Sequence, residues 1–332
     1  MANEIYFDTI NSNKILLNSD TNRLIFDFSV TPLSTLFITT WKTDNTGVVL
    51  SNSDQVKLPL HSSGTFNFDV DWGDGSGNTI TAYNQAEITH TYSTAGTYDI
   101  TISGTCYGFG FLGETTLGDN SKLIDVKNWG NMRFHNVNFQ LASTNLTNIS
   151  ATDSPDFTDF TNPDSQFFRN SRSLIDGIGH WDVSTINGFG NWFVFNDVFN
   201  DDLSLWDVSN ATIFRYMFYK ALVFNCDLSD WDMSGSTNVR AMFEDTLVDF
   251  DMGGWNVEEI GYSPSNDFNY FLKDTTLSTP NYDATLQGWS TQSLALNQTI
   301  DFGFSKYSTS GLTYRNILTG TYNWTITDGG AA

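Results

Sequence analysis

The tetrapeptide Trp-Asp-Val-Ser and its near copies recur at Trp181, Trp206, Trp231 and Trp255, at intervals of 25, 25 and 24 residues. Other apolar positions keep the same register. Phe168, Phe193, Phe218 and Phe243 precede these tryptophans by 13, 13, 13 and 12 residues, and Ile178, Leu203, Leu228 and Met252 precede them by three. A further track, Phe199-Asn200 and Phe224-Asn225, weakens to Phe250-Asp251. A unit this short cannot close a core of its own, so neighbouring units must cover its apolar edge and the units must stack. The period predicts a leucine-rich-repeat-like solenoid in which Phe, Trp and Met replace much of the usual Leu. In such a stack the inward residue is the same in every coil, which places the recurring Trp in the core and the recurring Asp in turns. The competing reading makes the Trp-Asp pairs a ladder for sugars, with indoles stacking on pyranose rings and carboxylates accepting hydroxyls. Residues that change from coil to coil are better candidates for a recognition surface: Trp192, Phe195, Tyr216 and Tyr219.

Upstream the period changes to two. Phe66, Phe68, Val70 and Trp72, then Tyr98, Ile100 and Ile102, alternate with polar residues as strands with one buried face do. Between the two runs lies Gly73-Asp74-Gly75-Ser76-Gly77-Asn78, a turn rich in residues that tolerate positive φ. Leu36-Phe37-Ile38 followed by Trp41 reads as an earlier strand of the same sandwich. Only six prolines and 26 glycines punctuate the chain, and no long amphipathic helix is evident, so many short strands joined by polar turns are expected.

Val70-Asp71-Trp72-Gly73-Asp74-Gly75, His90-Thr91-Tyr92 and Ala95-Gly96-Thr97-Tyr98 together resemble a PKD-type immunoglobulin-like domain, with Trp72 where that family more often has Phe. The resemblance implies structural roles for these residues. Asp69, Asp71 and Asp74 also allow a calcium-loop reading, although their spacing is one residue longer than the EF-hand pattern and lacks its distal Glu. The Trp-Asp-Val-Ser units with their Met-Phe and Phe-Asn positions resemble the BspA-like surface-protein repeat. The segments Tyr282–Trp289, Ser305-Lys306-Tyr307 and Gly320–Gly330 are similar to that family's C-terminal capping unit. The expected fold class is mainly β, an immunoglobulin-like β-sandwich followed by a leucine-rich-repeat-like solenoid with about 25-residue repeats. Residues 1–33 are read as an N-terminal anchoring segment, 34–104 as the PKD-like sandwich and 105–332 as the BspA-like solenoid with its cap, divergent over 105–165.

The chain of 332 residues carries 38 Asp and Glu against 15 Lys and Arg, a net charge of −23. No cationic cluster of the kind phosphate contacts require is present, which argues against nucleic acid as a partner. Aromatic residues make up 15%, enough for a sizeable core and unlike an acidic disordered chain. No zincin, nucleophile-elbow or phosphate-loop motif occurs, and the histidines are His61, His90, His135 and His180. Acidic pairs such as Asp201 and Asp202 are expected by chance at this composition. No catalytic residue, metal or cofactor is therefore assigned. Cys106 and Cys226 lie 120 residues apart without metal-ligand spacing and are read as free thiols.

Met1–Asp20 holds no apolar run longer than three residues and does not read as a signal peptide, and no stretch is long enough to insert in a membrane. Both resembled families belong to surface and adhesion proteins. A bacteriophage virion protein reconciles these facts, because it folds in the host cytoplasm and leaves by lysis. The sequence thus leads to the expectation of a non-enzymatic virion surface protein, a capsid decoration, head fibre or tail fibre component and possible homo-oligomer. It would bind other virion proteins through residues 1–33 (Ile5-Tyr6-Phe7, Ile15-Leu16-Leu17, Leu24-Ile25-Phe26) and a host surface protein or glycan through the solenoid. The alternatives are a bacterial cell-surface adhesin and a polysaccharide depolymerase.

Overall fold

A computed structural model of the chain describes residues 33–45, 51–111, 119–134, 141–142, 144–147, 149–262 and 267–332, and the backbone of three strands ahead of them. Those three strands, β1 (Glu4–Tyr6), β2 (Lys14–Asn18) and β3 (Arg23–Asp27), pair antiparallel in chain order. They contain the apolar triplets noted above except Phe7, which lies outside the described residues.

The period-two segment builds an antiparallel sheet. Its strands are β4 (Phe37–Lys42), β6 (Leu60–Asp71), β7 (Gly77–Ile80), β9 (Thr97–Phe109) and β10 (Leu123–Asn128), in the order β10-β4-β9-β6-β7. A separate pair, β5 (Gln55–Lys57) with β8 (Thr89–Thr91), contributes Val56 to the same core, joined by Ile88 and Tyr92. Along β6, buried Phe66, Phe68 and Val70 alternate with exposed neighbours, and Val70 stands opposite Ile102 of β9. The β6–β7 reversal needs glycine at Gly73: its φ is +79°, and a Cβ there would lie 2.4 Å from the Asp99 carbonyl oxygen.

The expected boundary at residue 104 is corrected. β9 continues to Phe109, and β10 joins the sheet through β4, with Val126 opposite Thr39. Leu123 and Val126, inside the segment expected to hold divergent repeats, are core residues of this sheet. Trp129 then carries the core onward, its ring 5.8 Å from Phe37 on one side and 5.4 Å from Trp181 on the other. Buried residues from Phe37 to Trp324 form one continuous cluster, so the two parts share a core.

Past this junction the backbone pairs at the repeat distance. Isolated parallel bridges link Tyr107, Arg133 and Asp156, and then Gly188, Ile213 and Asn238. Phe168, Phe193 and Phe218 each donate a backbone N–H to the carbonyl 24 residues on, at Trp192, Met217 and Met242. Phe168, Phe193, Phe218 and Phe243 stack face to face in a column, with centroids 5.6, 5.4 and 5.7 Å apart. The recurring tryptophans are buried. Trp206, Trp231 and Trp255 donate their indole N–H to the carbonyls of Ile178, Leu203 and Leu228, the residues three before the tryptophan of the preceding unit, at 3.2, 3.0 and 3.0 Å. A buried indole thus keeps a partner while filling the core.

One step differs. Ala241, Phe243 and Asp245 donate to Asn269, Phe271 and Lys273, 28 residues on, because four extra residues enter between Trp255 and Asp267. The chain ends in two helices that the sequence reading did not anticipate, α1 (Thr279–Ser290) and α2 (Thr309–Thr321), with a parallel pair β11 (Thr299–Asp301) and β12 (Thr325–Thr327). Pro280 sits in the first turn of α1, and the Ser308 side chain caps α2 by accepting from the N–H groups of Ser310 and Gly311. Tyr282, Leu286 and Trp289 bury one face of α1, and the Trp289 indole donates to the Met252 carbonyl at 2.8 Å, prolonging the tryptophan pattern into the cap. The described chain is mainly β with few helices.

Candidate recognition surface

Within each unit the recurring carboxylate is committed to a turn. Asp182 and Asp207 each accept from the backbone N–H and the hydroxyl of the serine two residues on, and Asp232 accepts from the Ser234 N–H. The Ser209 and Ser234 hydrogen bonds hold the Asp207 and Asp232 carboxyls below the usual carboxylate range. Asp201 accepts from three backbone N–H groups, those of Gly177, Ile178 and Gly179, at 3.0, 2.6 and 2.8 Å. One unit later Cys226 takes its place and accepts from the Leu203 N–H at 3.3 Å. Burial pushes the Cys226 thiol up to about 11, and both cysteines are free.

The calcium candidates are drawn into separate local bonds. Asp69 accepts from the Thr79 hydroxyl and Asp71 from the Gly73 N–H, while Asp74 accepts from Ser76. Among the described residues no group of three or more His, Cys, Asp or Glu is placed to hold a metal ion. Asp74 also lies 2.9 Å from His90 Nε2, and His90 stacks on Trp72 at 4.8 Å and meets the edge of Tyr92 at 4.5 Å. The Ser76 hydroxyl first, then His90, lower the Asp74 carboxyl from its ordinary 3.8 to about 2. A depressed carboxyl stabilises the fold above its unfolded value, and that contribution is lost as pH falls through the folded value. The sheet region is therefore expected to lose stability between about pH 4 and pH 2. Urea unfolding midpoints measured across this range check it, and Asp74→Asn should flatten that part of the profile.

Of the coil-specific aromatics, Trp192 is corrected from surface to core. It has no exposed area and packs against Phe167 and Phe189 with centroids at 4.8 and 5.0 Å. Its ring also packs against Phe157 and Phe160, with centroids at 6.1 and 6.3 Å. Phe195, Tyr216 and Tyr219 are half-buried and brought together, with Tyr219 5.6 Å from Phe195 and 5.7 Å from Tyr216. Tyr270, which the sequence reading missed, lies further along the same face.

Phe195, Tyr216 and Tyr270 sit at corners where the backbone is left-handed, and Tyr219 directly precedes one at Lys220. Gln166, Asn191, Tyr216, Ala241 and Tyr270 form one column of positive φ, and Asn170, Phe195, Lys220, Asp245 and Asp274 a second column four residues on. A bulky residue with φ near 60° costs about 1–2 kcal/mol, a penalty glycine avoids, yet none of the ten is glycine. The ladder bonds hold the corners: Phe195 donates to the Tyr219 carbonyl at 3.0 Å and Tyr216 to that of Arg240 at 2.8 Å. Cationic side chains lie over the rings. Arg169 and Arg172 are 5.9 and 5.7 Å from the Phe195 centroid, Lys220 is 5.6 Å from that of Tyr219 and Lys273 5.6 Å from that of Tyr270. The result is an outward face of rings and cations over an apolar interior.

A family model described as "Mycoplasma protein of unknown function, DUF285" matches residues 131–252 and, displaced by about one repeat, residues 161–279. Together the two overlapping matches span residues 131–279, the region that holds the Trp-Asp-Val-Ser units. No curated protein and no solved structure matches the chain. The repeat region is thus similar to that family, whose description assigns no activity.

Proposed function

We propose that this chain is a non-enzymatic structural protein of a virion surface, a capsid decoration, head fibre or tail fibre component that binds a host-surface protein or glycan. In this reading the repeats form a leucine-rich-repeat-like solenoid of the BspA-like kind, carried on an immunoglobulin-like sandwich of the PKD type. Residues 1–33 attach the protein to the particle.

The observation that carries the reading is the division of labour within each repeat. Residues that recur serve packing and turns, whereas Phe195, Tyr216, Tyr219 and Tyr270, which change between units, form a half-exposed face with neighbouring cations. Stacked-repeat proteins bind in this way, through variable positions on a constant interior. The carboxylates that recur in the units act as turn acceptors: Asp182, Asp207 and Asp232 each take a backbone N–H on one oxygen, and Asp201 takes three. Two free thiols in a chain with surface-type modules agree with folding in a reducing cytoplasm before release by lysis.

The test is where the protein goes. After lysis it should band with infectious particles through a density gradient. Recovery only with the bacterial envelope, or only in the free soluble fraction, would contradict the proposal. Release of reducing sugar ends from host glycan by the purified protein would place it among enzymes instead.

A further inference from the structure

Between residues 141 and 279 the chain has 21 Asp or Glu and six Lys or Arg, and the two signs are segregated. Counted from the first left-handed corner of each unit, all six cations fall in the eight positions from one before it to six after it. Only four of the acids, Asp197, Glu244, Asp245 and Asp274, share that window. An outward strip of net positive charge therefore crosses a strongly acidic molecule.

Most of the cations on this strip are locally balanced. Arg172 lies 2.8 Å from Asp197, Lys220 3.6 Å from Asp245 and Lys273 2.6 Å from Glu244, while Arg215 pairs with Asp164. Arg240 has no ion-pair partner among the described residues, and its buried Nε has no hydrogen-bond acceptor there. Its guanidinium carbon lies 5.9 Å from the ring centroids of both Tyr216 and Tyr270. Those two rings occupy the same corner two units apart, with the small Ala241 between them, and the guanidinium fills the gap. An unpaired, ring-flanked guanidinium is preorganised to take a planar carboxylate in a two-pronged hydrogen bond. Tyr270 is 42% exposed, leaving ring surface and hydroxyl for a sugar beside that carboxylate.

We propose that Arg240, flanked by Tyr216 and Tyr270, is the anchor of a binding site for a carboxylate-bearing saccharide of a surface glycan. The assignment rests on the reading of the repeats as a displayed binding face, and it names the ligand class that face takes. Neutral glycans lack the group that balances Arg240. Acidic peptides supply the charge without the ring to stack.

The experiment is calorimetric titration of the purified full chain with three probes: polygalacturonate, dextran and polyglutamate. Polygalacturonate is expected to bind at least about tenfold more tightly than either of the others, and Arg240→Gln or Tyr270→Leu should each weaken it by about tenfold. The unfolding midpoints of both variants should stay at the wild-type value. Lys127→Gln, on the sheet and outside the strip, should bind as wild type does. Three results would each overturn the assignment: no binding of polygalacturonate, equal binding of polyglutamate, or full affinity in Arg240→Gln. None of them bears on whether the protein bands with particles, so failure here is separable from failure of the virion reading.

Discussion

Phe218→Ala is expected to lower the unfolding free energy by about 3–5 kcal/mol, the range for removing a fully buried aromatic ring. The ring has no exposed area and is held on three sides. Phe193 and Phe243 stack on its two faces at 5.4 and 5.7 Å, nearly parallel at 4° and 2°, and Phe224 of its own unit stacks at 3.9 Å. Truncation would open a cavity shared by three successive units. The backbone ladder holds the units in register, so the walls cannot collapse into the gap without breaking bonds such as Phe218 N–H to the Met242 carbonyl. Phe195→Ala is the matched control, because its ring lies on the half-exposed outer face and its loss leaves no closed cavity. Urea denaturation of the two variants should separate them by at least about 2 kcal/mol. Equal values would mean that the phenylalanine column does not carry the stack.

Lys122→Met is expected to cost a comparable amount, about 3–5 kcal/mol, through electrostatics and not through volume. Lys122 and Asp119 are 1% and 0% exposed in the short turn before β10, with Nζ 3.8 Å from the carboxylate. The ammonium donates to the Ser51 hydroxyl at 2.8 Å and to the carbonyls of Asn52 and Gln55 at 2.7 and 2.9 Å. Asp119 accepts from the backbone N–H groups of Ser51 and Lys57 at 3.1 and 2.8 Å and from the Ser51 hydroxyl. Burial pushes the Lys122 ammonium below its ordinary value, with Asp119 opposing the change. Methionine fills similar space but leaves Asp119 as a buried charge without its cation, and takes the ammonium donor from the Gln55 carbonyl and from the Asn52 carbonyl, which keeps only the Gln55 N–H. The double variant Lys122→Met with Asp119→Leu should recover part of the loss, since it removes both charges together. Thermal unfolding of the three variants measures this. A double variant no more stable than Lys122→Met would show that the cost lies in packing.

Much of this architecture was legible in the residues because it is periodic. Trp181, Trp206 and Trp231, and the phenylalanines 13 residues before them, announce their inward direction by recurring. Phe66, Phe68 and Val70 do the same with period two. What escaped the reading is what period cannot encode. Leu123 and Val126 carry no mark that assigns them to β4 in place of a repeat, because sheet partnership at long range leaves no local trace. The four extra residues ahead of Asp267 hid the continuation of the phenylalanine column at Phe271. Ser278-Thr279-Pro280 and Ser308 are helix-start signals, but the short polar helices behind them present narrow apolar faces. Trp192 varied between units and was still interior, so variation alone did not separate surface from core. Arg240 could have been found from sequence, since the phase of the six cations within the repeat is visible without coordinates.

The interior of the repeats explains how the units stack, and the outer strip is the face proposed to bind. Their joint claim is display at a particle surface, with the strip facing outward. Immunogold electron microscopy of intact particles tests it most directly, using an antibody raised against the strip around Tyr216 and Arg240. Gold at a single recurring location on the particles is the predicted result. Unlabelled particles from a preparation in which the protein is abundant, with gold confined to cell envelopes or to free protein, would contradict it.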